Sequence, residues 1–466
     1  MVKKDGYNSL VWLIYTVRIR ATLMYRQFQD FLTSRSKRSK QTPLIVRGAR
    51  QTGKSHSIRQ YGMISFPHLA EINLELAPSM KACFSSLNAI TMSRELEALL
   101  KTRLIDGQSL LFIDEIQESP EAILALRAFK EQRPGLEVIA AGSLLEFALD
   151  DEKIRSFPVG RVGFAWMHPM SFREFLLALA EDGLVECISK ATPDVPVSEA
   201  VHHRLLELVR EYFVIGGLPE VVDTFRESKS YLEAKIVQSR LSLGYVADFV
   251  KYGKRYDYRK LQTILRAVPR LVGRPFKFSH VDSDARARDF KQPLLDLEKS
   301  GLVRLIRATH ANGTPLAAGE RDGVFKVQLL DIGIMLNMLG IDLGPKSIVD
   351  ALFVNEGALA EQFVGQELLA NTPADTSPSL HYWHREAKGS EAEVDYLITH
   401  HDKIMPMEVK AGSTGSLRSA RLFIREKNAA FAIRISQHPL SFHDGILSVP
   451  FYMCGELTRI LDRMVS

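Results

Sequence analysis

Residues 48–55 read G-A-R-Q-T-G-K-S, which fits the spacing G-x-x-x-x-G-K-[ST] of a loop that wraps phosphates. Two glycines let the backbone curl until its N–H groups converge on anionic oxygens. Lys54 is placed to reach the β- and γ-phosphates, and the Ser55 hydroxyl to help hold Mg²⁺. A glycine turn ahead of a basic helix would share these letters, so the flanks matter. Pro43-Leu44-Ile45-Val46 is a short apolar run ending at the first glycine, and His56 to Tyr61 continues without Pro. A buried strand, a loop and a helix N-terminus are what anion binding requires. The expected nucleotide contacts are Gly48, Ala49, Arg50, Gln51, Thr52, Gly53, Lys54, Ser55 and His56, with ATP and ADP as ligands.

A chain of 466 residues has room for about three domains of roughly 150 residues. With 46% apolar and 25% charged residues, it reads as folded and soluble. A net charge of +5 admits an acidic partner such as nucleic acid without requiring one. Cys83, Cys187 and Cys454 are scattered, with no C-x-x-C pair, so neither a zinc site nor a disulfide framework is expected, and a reducing cytoplasm fits. The run Leu10 to Val17 is too short to span a bilayer and is followed at once by Arg18 and Arg20, so no membrane partner is expected. Residues 1–23 read as an extension or docking helix, and Met24 is a second candidate start.

The first third alternates apolar runs with helical patterns. Leu44–Arg47, Ala70–Leu74, Ser109–Asp114 and Glu137–Ala141 are strand candidates, the rhythm of a parallel sheet with crossover helices. Residues 166–250 are mostly helical, with Phe172–Leu179 at helical spacing and Gly216-Gly217-Leu218-Pro219 as a loop. In residues 251–345, helices over Leu261–Val272 and Arg286–Lys299 precede alternating runs at Leu302–Ile306 and Val324–Leu329, which suggests a winged helix. From residue 346 a helix over Gly357–Ala370 leads into strands.

Leu110 to Glu115 is an apolar run ending in two acids. Its strand is expected beside the loop strand, with Asp114 anchoring Mg²⁺ and Glu115 polarising the attacking water. Ser143, past the next strand, is either a γ-phosphate sensor or an ordinary turn residue. Arg161, after the loop Asp150 to Pro158, is either a surface arginine or a finger reaching a neighbour's nucleotide.

G-A-R-Q-T-G-K-S, L-L-F-I-D-E-I-Q, A-A-G-S, V-G-R-V, H-P-M-S-F-R-E-F and I-G-G-L-P-E-V-V occur in that order. Together they resemble the prokaryotic AAA-type ATPases that carry a C-terminal domain of the PD-(D/E)xK nuclease superfamily. The resemblance spans residues 24–436. It implies an α/β fold: an ATPase core of P-loop NTPase type with a parallel sheet over 24–165, a helical lid over 166–250, a winged helix over 251–345 and a restriction-endonuclease-like domain over 346–466. It places Lys54, Ser55, Asp114 and Glu115 in the nucleotide site, Ser143 at the polar sensor and Arg161 at a Gly-Arg motif. Ser55 stands where the family more often has Thr and keeps the hydroxyl.

In the tail, Ala392 to Ile398 alternates polar and apolar, His401-Asp402 can turn the chain, and Glu408 and Lys410 share one face of the next strand. Paired as a hairpin, the strands set Asp395 beside Glu408, and two adjacent carboxylates call for a cation such as Mg²⁺ or Mn²⁺. Lys410 would then orient or help deprotonate water, and Glu361 on the preceding helix would add a ligand. A solvated strand face carries the same charges. Glu361, Asp395, Glu408 and Lys410 match the nuclease superfamily's active centre, whose fold also persists as a silent binding module. Glu391, Glu393 and Glu367 are alternative acids.

Arg286, Arg288, Lys291 and Lys299 mark one helix, and Lys251 to Tyr256 interleaves basic and aromatic residues, a pattern suited to DNA. Asp282, Asp284, Asp289, Asp296 and Glu298 dilute that charge. The expectation is an ATPase that moves a winged helix and a nuclease-like tail as a homo-oligomer on DNA. The alternative is a nucleotide-controlled switch with a silent tail.

Overall fold

The computed structural model describes residues 24–37, 42–143, 145–149, 160–248, 258–282, 286–341, 347–387, 390–412 and 416–465. The extension 1–23, the loop 150–158 and the basic-aromatic segment 251–256 lie outside the described residues.

Five strands form the first sheet: β1 (Leu44–Arg47), β2 (His68–Asn73), β3 (Ser109–Asp114), β4 (Glu137–Ala141) and β5 (Gly163–Trp166), in the order β2-β3-β4-β1-β5. Every pairing is parallel. Helices Lys54–Ser65, Ala89–Leu100 and Pro120–Gln132 make the crossovers. Every residue of β3 and β4 is buried, as expected where helices cover both faces. Successive side chains take opposite faces, so Ile45 and Ile113 join one apolar cluster while Val46 and Phe112 join the other. Asn88 and Ser119 cap the second and third helices, accepting from the backbone of their first turns.

Two expectations need correction. β3 does not lie beside the loop strand: β4 pairs with both and stands between them. This brings Ser143, just past β4, between the two halves of the site. β5 was not expected; its four residues, G-F-A-W, are too few to show a period.

Helices Phe172–Ala178, Asp182–Lys190, Glu199–Ile215, Pro219–Ser228 and Tyr231–Asp248 follow. Helices Tyr258–Leu271 and Ala287–Lys299 then lead into the hairpin of β6 (Val303–Thr309) and β7 (Glu320–Leu329). The hairpin is not isolated, because β6 pairs in parallel with β8 (Leu380–Ala387), from Ile306↔Leu380 to Thr309↔Trp383. The tail adds β9 (Ser390–His400), β10 (Lys403–Val409), β11 (Ala432–Ser436), β12 (Ser441–His443) and β13 (Ile446–Pro450). The resulting eight-stranded mixed sheet runs β12-β13-β11-β10-β9-β8-β6-β7. Helix Ser347–Ala370 packs against it, and one apolar cluster joins Tyr212, Leu294, Phe363 and Leu461. Residues 172–248, the hairpin and the tail thus share a core. No helix among the described residues is long and apolar enough to cross a membrane.

Candidate active site

β1 ends at the glycine loop, and Gly53 precedes helix Lys54–Ser65 with φ +90°. Gly48 has φ +145°, and a Cβ there would lie 2.3 Å from the Met167 carbonyl oxygen, so only glycine fits. Lys54 Nζ donates to the carbonyls of Gly48 (3.0 Å) and Ala49 (2.8 Å). Burial lowers the Lys54 pKa to about 8, while Glu115 and Asp114 pull it back up.

Ser55 Oγ donates to Asp114 Oδ1 at 2.9 Å, so the loop hydroxyl and the strand acid meet as expected. Burial raises the Asp114 pKa, and the Ser55 hydrogen bond opposes the rise. Asn73, ending β2 opposite Asp114, donates from Nδ2 to Asp114 Oδ2 at 3.3 Å. A hydroxyl beside a carboxylate is an oxygen donor set suited to Mg²⁺, so these residues fit that ion. Glu115 takes the left-handed region, φ 51°, and accepts from Gln117 Nε2 at 2.5 Å. Ser143 is buried, and its Oγ accepts from Arg50 Nε at 3.3 Å.

Other segments press on the loop. Arg26 donates to the Thr52 carbonyl (2.7 Å), the His168 carbonyl (2.7 Å) and Glu174 Oε1 (3.0 Å). The Tyr245 hydroxyl donates to the Arg50 carbonyl at 3.2 Å. A Cβ on Gly301 would lie 3.3 Å from both Ala49 N and Ala49 Cβ. A cavity of about 340 Å³ opens between Gly48, Gly142 and Ser143 on the core and Gly301 and Arg304 beyond it. Gln51 and His56 are exposed, whereas Ala49 and Thr52 are buried.

Arg161 stands apart. Its guanidinium pairs with Glu131 Oε1 at 3.2 Å at the end of helix Pro120–Gln132. Gly163 of β5 pairs with Leu44 at the start of β1, so Arg161 lies at the sheet edge opposite the loop.

In the tail, β9 and β10 form the anticipated hairpin, with Met407↔Tyr396 setting Glu408 next to Asp395. Asp395 Oδ2 accepts from Val409 N at 2.8 Å, and Lys410 Nζ donates to Glu408 Oε2 at 2.7 Å. The sequence reading missed a further residue, Lys326 on β7. Its ammonium, fully enclosed, lies 2.6 Å from Glu393 Oε1, 3.2 Å from Glu361 Oε2 and 3.7 Å from Asp395 Oδ1. Burial works against that charge, but Glu361, Asp395 and Glu393 outweigh it and raise the Lys326 pKa. Burial and the Asp395 charge push the Glu361 pKa up, and Lys326 opposes the rise. Glu367 is elsewhere: it accepts from Phe172 N at 2.7 Å and anchors the start of helix Phe172–Ala178. Among the described residues, three ligand atoms within 4.8 Å of one another occur only at His400, His401 and Asp462. Glu361, Asp395 and Glu408 do not form such a set.

Asn73, Gln117, Arg26, Arg304 and Lys326 were not anticipated. Asn73, at the end of an alternating strand, and Gln117, two residues past Glu115, are local to the site; Arg26, Arg304 and Lys326 are brought in by distant segments.

A family model described as an AAA domain matches residues 40–176. Two models described as domains of unknown function match residues 206–343 and 356–453. No curated protein matches the chain. Among solved structures, the Walker-type ATPase of Pyrococcus abyssi is similar at 15% identity, over 69% of this chain and 97% of that one, with a TM-score of 0.44. The Aeropyrum pernix ORC1 protein in complex with DNA is 14% identical over 70% of this chain and 92% of its own, with a TM-score of 0.27. AMPPCP-bound DnaA from Aquifex aeolicus is 14% identical over 64% and 90%, with a TM-score of 0.24. The segment that matches the AAA domain model holds the glycine loop and all five strands of the first sheet.

Proposed function

We propose that this protein hydrolyses ATP to ADP and phosphate with Mg²⁺, and that the nucleotide shifts the segments seated on the phosphate loop. The observation that carries it is the Ser55–Asp114 contact, with Glu115 next in the chain. Lys54 leaves the carbonyls of Gly48 and Ala49 to hold the β- and γ-phosphates. Ser55 and Asp114 hold Mg²⁺, which screens phosphate charge when bound. Glu115, steadied by Gln117, takes the proton of the attacking water. Ser143 orients that water or the γ-phosphate. Arg161, on the far edge of the sheet, serves a neighbouring subunit's nucleotide in a homo-oligomer. Phosphate release by the wild type and by Lys54→Ala tests this. Turnover should vanish in the variant; an unchanged rate would rule out hydrolysis here.

DNA as the client is favoured by one observation. Arg286, Arg288 and Lys291 are all exposed at the start of helix Ala287–Lys299. Phosphate contacts of this kind make binding weaken steeply with salt. ATP turnover should rise with added duplex or single-stranded DNA, and Arg288→Glu should abolish the rise. A turnover insensitive to both excludes DNA as the client.

A further inference from the structure

We propose that the Lys326 ammonium is the resident cation of the tail's carboxylate cluster, standing where the resemblance would put a divalent ion. The tail is therefore a silent module whose acids are held from within by a lysine. This does not depend on ATP hydrolysis.

The spacing favours the ammonium. Its contacts at 2.6 Å and 3.2 Å, to Glu393 and Glu361, are hydrogen-bond lengths for a charged amine, with Asp395 further out at 3.7 Å. A divalent ion instead draws several oxygens to about 2.0–2.6 Å of one point. The ligand atoms of Glu361, Asp395 and Glu408 do not gather within 4.8 Å of one another. Lys410 Nζ, which the resemblance would keep for a water, is held on Glu408 Oε2. Nor can Lys326 step aside cheaply. Its side chain is 0% exposed, its backbone is fixed by pairing with Ile306 and Pro275, and Nζ lies 5.2 Å from the Tyr382 ring centre. Moved off these acids, the ammonium would be a buried charge without a counter-ion, so the lysine stays on them.

The cluster also joins three parts of the chain. Lys326 comes from the β6–β7 hairpin, Glu361 from helix Ser347–Ala370, and Glu393 and Asp395 from β9. The acids expected to cut a phosphodiester instead fasten the hairpin to the tail.

Counting bound Mn²⁺ by electron paramagnetic resonance on the nucleotide-free full chain tests this, since the count does not depend on ATP turnover. Wild type and Asp395→Asn should bind the same number of ions. Lys326→Met should gain one equivalent, lost again in Lys326→Met with Asp395→Asn. Loss of one equivalent from the wild type on Asp395→Asn would overturn the proposal. So would a folded Lys326→Met that gains none. Should Lys326→Met fail to fold, the comparison of wild type with Asp395→Asn decides alone.

Discussion

The Ser55 hydroxyl, in the first turn of the helix after the loop, reaches Asp114 Oδ1, 2.9 Å away, although β4 separates β3, which ends at Asp114, from β1, which leads into the loop. The contact requires β1, β4 and β3 to end level, as their parallel registers make them. Asp114→Asn keeps the shape and removes the charge that Mg²⁺ needs. Phosphate release should fall about 10²–10³-fold, a loss typical of removing one preorganised electrostatic contact. A magnesium titration should show the residual rate shifted to higher ion concentration, and chelation with EDTA should abolish wild-type turnover.

Glu115 sits in a left-handed backbone conformation, clasped by Gln117. Glu115→Gln should reduce the turnover number by about 10²–10⁴-fold, the usual worth of a general base, with nucleotide affinity retained. Single-turnover kinetics beside an equilibrium binding curve separate the two effects. Equal loss of both would remove Glu115 from the chemical step.

Burial holds the Lys54 pKa near 8, below its ordinary value of 10.5. A bound triphosphate favours the charged amine and raises that pKa again. Below about pH 8 the free protein already carries the charge, and Lys54 adds no pH dependence to affinity. Above it, binding takes up a proton, and affinity falls as pH rises. Calorimetric titrations at about pH 9 in buffers of different ionisation enthalpy should report that uptake, and Lys54→Ala should lose it.

A Cβ on Gly217 would lie 2.3 Å from the Met170 carbonyl oxygen, and its N–H donates to Asp331 Oδ2 at 2.7 Å. Gly217→Ala forces backbone apart from backbone. It should lower unfolding free energy by about 1–3 kcal/mol, as overpacking does, measured by urea denaturation.

Arg26 and Glu174 are buried together, with side chains 6% and 4% exposed. Arg26→Ala strands a carboxylate in the interior and releases the Thr52 carbonyl of the loop. A destabilisation of about 3–5 kcal/mol is expected in thermal or chemical melts, with weaker nucleotide binding.

Local patterns revealed the elements that carry the nucleotide chemistry. Leu44–Arg47, Ser109–Asp114 and Glu137–Ala141 are strands to the residue, because each is a short apolar run bounded by turn formers. Asp395 and Glu408 are neighbours because period-two alternation and a two-residue turn leave a hairpin one register. Strand order was not legible. Nothing in the letters of β4 says that it slips between β1 and β3, since crossover geometry decides that. Lys326 was hidden for a similar reason. A lone lysine in an alternating strand looks solvated until a helix and a second hairpin close over it.

The turn at Gly301 leans on Ala49 and runs straight into β6, where Ile306 lies opposite Lys326. Close-packed interiors yield in steps and do not deform smoothly. The phosphate loop and the ribbon that pins the acids are therefore packed as one unit, and under the proposed ATP cycle a shift of Gly301 off its seat would tug on both.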